Sequence, residues 1–160
     1  MRKIDYDGLL MCRIQGKIFE KSLIYLNCSS PVFIKKYMYS DDARCMDVFN
    51  FLNTSKSDIQ VLEDIKDNEF GKIKYTKDEL YWIGYLYRYF CYTYELSSKY
   101  VFRKINGTTL KDLYYTYHTL DPANAIERII DDYSIDIHDE NSLLINTQNI
   151  IKEKIEKATL

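Results

Sequence analysis

The run from Thr76 to Ser98 constrains the fold of this chain more than any other segment. Thr76-Lys77-Asp78-Glu79 has the pattern of a capping box, in which the first and fourth side chains each bond the other's backbone amide and so start a helix. No helix breaker follows before about Ser98, so the pattern predicts one long helix over 77–98 despite Gly84. Six tyrosines fall inside it, and so much aromatic area has to be covered by neighbours. With only 5 Gly and 2 Pro in 160 residues, 46% of them hydrophobic, collagen-like, disordered and turn-dense β architectures are disfavoured. The expected fold is all-α, a single domain over 1–160 with about six to eight helices around 77–98 and a peripheral C-terminal helix within 139–160.

The other helices announce themselves by caps and periodicity. Leu10, Ile14, Ile18, Tyr25 and Leu26 recur at mostly helical spacing from Asp7 to Asn27. Ser30-Pro31 gives an N-cap followed by a proline at the first helical position, and Ser40 restarts a second short helix. Residues 50–57 read as a polar turn, after which Ser57 and Gln60 form a second capping box for a helix running to a stop near Gly71. Thr108 or Thr109 can cap a helix through Tyr117, Asp121-Pro122 opens another, and a last one is expected from Asn141 to Lys157.

On the long helix, Tyr81, Tyr85, Arg88, Tyr92, Glu95 and Lys99 are spaced four, three, four, three and four apart and share one stripe. Trp82, Ile83, Leu86 and Phe90 project to the opposite side as a core face. Gly84, Cys91 and Ser98 form a seam of small side chains that would let a neighbouring helix approach. Three readings of the stripe stay open, one of them a nucleic-acid stacking platform, against which the nearby Asp78, Glu79 and Glu95 argue because such a platform needs a basic groove. In the other two, the rings fill space between helices while Arg88 and Glu95 satisfy each other or nearby backbone, or Tyr and Arg form a partner-docking surface of the kind that dominates binding energetics.

Charge and chemistry-bearing motifs narrow the function classes. A formal charge of −2 argues against a general electrostatic grip on nucleic acid or an anionic membrane. Asp5, Asp7 and Arg13 interrupt any apolar signal region, and Arg88 and Glu95 interrupt the strongest apolar stretch, so the expected location is cytoplasmic. Cys12, Cys28, Cys45 and Cys91 stand far apart, predicting reduced thiols and no metal site. His118, just ahead of Asp121-Pro122, reads as a histidine at a helix junction, bonded to Asp121 or set in a mouth of aromatic rings, and His138 as a solvated one. Asp41-Asp42, Asp131-Asp132 and Asp139-Glu140 lack metal-loop spacing, and no phosphate cradle, nucleophile elbow or zinc helix motif is present. Neither a catalytic residue nor a cofactor is assigned.

The segments Tyr81–Lys99, Tyr114–Pro122 and Ala125–Ile129, together with Phe33-Ile34, Met38, Ser40 and Met46-Asp47, resemble a family of uncharacterised bacterial proteins over about residues 28–130. Members of that family tend to be encoded beside an ADP-ribosyltransferase-like toxin. The resemblance implies an antitoxin, or an accessory part of a toxin–antitoxin or phage-defence module, but transfers no catalytic residue. The expectation is a non-enzymatic module that binds a protein partner through Tyr81, Tyr85, Arg88, Tyr92, Glu95, His118 and Arg128. Two alternatives stand beside it. One is an enzyme reversing the toxin's modification with His118, Glu95, Asp121 and Arg128 converging. The other is a DNA-binding autoregulator using Lys35, Lys36 and Arg44.

Overall fold

Side-chain oxygens that accept a backbone amide two or three residues downstream start seven helices: Asp5, Ser40, Ser57, Thr76, Ser97, Asn106 and Asp121. The computed structural model describes residues 1–48, 56–66, 69–138 and 151–157. Within them lie α1 (Tyr6–Tyr25), α2 (Ser30–Met38), α3 (Asp41–Asp47), α4 (Asp58–Ile65), α5 (Lys77–Tyr94), α6 (Ser98–Lys104), α7 (Gly107–Tyr117) and α8 (Pro122–Tyr133). Residues 151–157 are helical as well, and no strand occurs among the described residues. The molecule is an all-α, single-domain bundle around a long central helix. Most of the expected turn over 50–57 and the expected start of the last helix, 141–150, lie outside the described residues.

The central helix is α5, which packs against α1, α6, α7 and α8. It runs antiparallel to α1, because Gly8 of α1 faces the Tyr92 ring while Gly16 faces Tyr81. Three glycines set the closeness of this pair. A Cβ on Gly8 or Gly16 would fall within 3 Å of a tyrosine ring, and one on Gly84 would fall 2.8 Å from the Gln15 carbonyl oxygen. The small-residue seam seen in the sequence therefore works at Gly84. From Leu86 to Thr93 every α5 residue is buried, so most of its second half has no solvent side.

Four expectations need correction. The long helix is not one element over 77–98: it ends at Tyr94, with Glu95 in the left-handed region at φ 56° and the Leu96 amide closing back on the Cys91 carbonyl. Ser97 then caps the separate helix α6. Ser30 is not the cap of α2; Ser29 holds that position, and the Ser30 hydroxyl instead accepts the Tyr75 amide at 2.9 Å. The helix after Ser57 stops at Ile65 rather than near Gly71. Residues 69–76 are non-helical and lie along 27–30, with the Gly71 amide on the Asn27 carbonyl and the Ser30 amide on the Ile73 carbonyl, both at 2.9 Å. Finally, Asn106 rather than a threonine caps α7.

Gly84→Ala tests the closeness of α1 and α5. Alanine is the better helix former by about 1 kcal/mol, yet its methyl has to displace α1 backbone, an overpacking cost of roughly 1–3 kcal/mol. The expected outcome is a lower urea midpoint; a raised midpoint would show that the helices are not in close contact there.

Candidate partner-binding site

The residues of the stripe divide into an interior set and a surface set. Arg88 has no solvent exposure. Its Nε donates to Gln15 Oε1 at 2.9 Å, its Nη1 to Asp47 Oδ1 at 2.8 Å, and its Nη2 to the Ser98 hydroxyl at 2.8 Å and the Ala43 carbonyl at 3.4 Å. Asp47 is equally buried and also accepts the Ser98 amide at 2.9 Å and the Ser98 hydroxyl at 2.6 Å. Burial works against charge on Arg88, but the Asp47 carboxylate more than offsets it and keeps the guanidinium protonated. The space-filling reading holds for the burial of Arg88, which has no atom available to a partner, but its charge is met by Asp47, Gln15 and Ser98 rather than by Glu95.

Tyr92 is covered by the chain's first residues. Its hydroxyl donates to Asp5 Oδ1 at 2.7 Å, and the Arg2 guanidinium lies 4.6 Å from its ring centroid. The donated bond holds the Asp5 carboxyl below its usual range, while burial, with Asp5 second, pushes the Tyr92 phenol up to about 12. Glu95 leaves the stripe where α5 ends and lies 3.8 Å from Arg2. Lys99 is on α6, over the Tyr39 ring. Arg128 is exposed on α8.

Tyr81 and Tyr85 remain half-exposed. With Tyr89 they form a ladder along α5, ring centroids 6.2 and 6.3 Å apart at 30° and 28°. Burial pushes the Tyr81 and Tyr89 phenols up and that of Tyr85 up to about 12.

The ladder opens at its Tyr81 end into a cleft of about 430 Å³ between α1, α5 and α7, lined by Glu20, Lys77, Asp78, Tyr81, Trp82, Tyr114 and His118. Trp82 and Tyr114 meet nearly at right angles, at 80° with centroids 5.6 Å apart. His118 stacks on Tyr114 at 4.5 Å and 18°, and Tyr115, 75% exposed, stands edge-on to both. His118 Nδ1 is 2.8 Å from the Tyr114 carbonyl, which can only accept, so Nδ1 carries the proton of the neutral ring and Nε2 is left as an acceptor.

Hydroxyl use differs among the tyrosines, and the unused phenols are not confined to the cleft, since that of buried Tyr89 has no partner among the described residues either. The phenols of Tyr75, Tyr87, Tyr100 and Tyr117 all bond groups within the chain. Those of Tyr81, Tyr85 and Tyr114, and the Trp82 indole N–H, have no partner among the described residues.

Thus the structure brings Tyr81 and His118 of the expected site together and leaves Arg88, Tyr92, Glu95 and Arg128 elsewhere. Trp82, expected on the core face, packs against the core but is only partly buried and also lines the cleft; Glu20, Lys77, Asp78 and Tyr114 line it too, and Tyr115 stands beside it against the Tyr114 and His118 rings. The four-residue spacing of Tyr114 and His118 was the available signal for this cluster. The residues required for a reversal reaction do not converge, since Glu95 lies 13 residues beyond Trp82, about 20 Å along α5. Lys35 and Lys36 are exposed, but Arg44 is held by Asp41 and Glu153, both at 3.0 Å, and α3 opens on Asp41-Asp42. Among the described residues no group of three His, Cys, Asp or Glu side chains could hold a metal ion, and no helix is long and apolar enough to cross a membrane. No protein-family model, curated protein or solved structure matches the chain.

The raised phenols set an alkaline limit. Tyr85 and Tyr92 ionise near 12 when folded against about 10 when unfolded, so the stability they contribute is complete below pH 10 and lost as pH climbs from 10 to 12. Phenolate absorbance at 295 nm is expected to show a late-titrating group that shrinks in Tyr85→Phe and Tyr92→Phe. A single step near pH 10 for every tyrosine would contradict the burial described.

Proposed function

We propose that this chain is a non-enzymatic protein-binding module, an antitoxin or regulator that neutralises a partner toxin by direct contact through the cleft and the Tyr81–Tyr85 ladder. The observation that carries the reading is the cleft itself. Five aromatic or imidazole rings, from Tyr81, Trp82, Tyr114, Tyr115 and His118, gather on one open face with phenol and indole groups that the chain does not use internally. Large rigid rings combined with unspent hydrogen-bonding groups are what protein interfaces draw most binding energy from.

The partner proposed, from the family resemblance, is an ADP-ribosyltransferase-like toxin. Seating this face over the toxin's nicotinamide-dinucleotide cleft would exclude substrate and require no chemistry from the chain itself. The site moves from the middle of α5, where the stripe placed it, to the first turns of α5 and the end of α7.

Co-expression with the product of the adjacent gene, followed by size-exclusion chromatography, tests the reading. Wild-type chain is expected to co-elute with it, and a Tyr114→Ala/Tyr115→Ala variant, folded by circular dichroism, to elute separately. Separate elution of the wild type, or co-elution untouched by the variant, would contradict it.

A further inference from the structure

We infer that the cleft between α1, α5 and α7 takes a guanidinium group, an arginine side chain of the partner; this rests on the protein-binding reading and specifies its chemistry. The lining has one basic side chain, Lys77, and it is spent on Glu20 at 3.2 Å. The amides of Thr76 and Glu79 at the start of α5 are spent too, because their own side chains close the capping box. The donors left unspent, the Trp82 indole N–H and the Tyr81 and Tyr114 hydroxyls, are neutral, and the acceptors left unspent are Nε2 of His118 and the exposed Asp78 carboxylate, which has no ion pair among the described residues and so leaves the lining with an uncompensated negative charge.

Beside these acceptors stand the Tyr81 and Trp82 rings, and the face of an indole is the best aromatic surface for a cation. A planar guanidinium can lie on a ring while its edge N–H groups reach a carboxylate, which an ammonium cannot do equally well. An anion would meet Asp78 and a π face, both repulsive to it. Charge complementarity and ring geometry therefore favour arginine over an acidic or phosphorylated segment.

Trp82 is the chain's one tryptophan, so its indole N–H gives an NMR signal that reports this cleft and nothing else. The full chain is titrated with Nα-acetyl-arginine amide, with the citrulline amide, which keeps the shape and loses the charge, as the matched control. The expected result is a saturable shift of the Trp82 signal with the arginine probe, absent with citrulline and weakened about fivefold by Asp78→Asn. An equal response to citrulline, no saturable response, or indifference to Asp78→Asn overturns the assignment. These probes do not involve the partner protein, so the two readings can fail separately. Arginine binding without co-elution removes the protein-binding reading, and with it the partner as the source of the arginine, but leaves the guanidinium site; co-elution without arginine binding removes the guanidinium assignment alone.

Discussion

The buried ion pair between Arg88 and Asp47 is the interaction on which the arrangement of helices depends. A charge removed from water is tolerated only where a partner and further hydrogen bonds replace the lost hydration. Arg88, on α5, meets that demand with groups from three other helices: Gln15 of α1, Asp47 and the Ala43 carbonyl of α3, and Ser98 of α6. Each of those elements is thereby fixed in register with the central helix. Gln15 extends the constraint, since its amide donates to the Gly84 carbonyl at 3.0 Å, where α1 and α5 approach closely.

That arrangement determines what is left for function. The second half of α5 is enclosed by α1, α6, α8 and the first residues of the chain, so the tyrosines there have become structural. The first turns of α5 are less covered, and α7 ends beside them with Tyr114 and His118 turned to the same opening. Among the described residues, the less covered part of the central helix is thus its first turns. Rings buried at the other end give that helix the rigidity on which a preorganised surface depends.

Capping was the part of the fold most legible in the sequence, because it is local: Ser40, Ser57, Thr76 and Asp121 each act on an amide within three residues. The end of α5 was not legible. Its left-handed residue is Glu95 instead of the glycine that usually marks such a stop, and Ser97 is as acceptable inside a helix as in front of one. Periodicity gave the stripe correctly up to Tyr92 but carried no information about which face is covered. Arg88 is interior because Asp47, 41 residues earlier, is brought beside it, and no local pattern encodes that pairing. Trp82 was placed only in part: it packs against the core as the hydrophobic spacing assigned, but it is only partly buried and also lines the cleft beside Tyr114 of α7.

A double-mutant cycle in chemical denaturation, with Arg88→Met, Asp47→Leu and the double variant, tests the central claim most directly. Each single change leaves one uncompensated buried group and is expected to cost about 3–5 kcal/mol, while the double change, which removes both charges, costs much less than the sum. Additive losses agreeing within roughly 0.5 kcal/mol would show that the two residues do not act as a pair, and the account of the bundle's interior would be wrong.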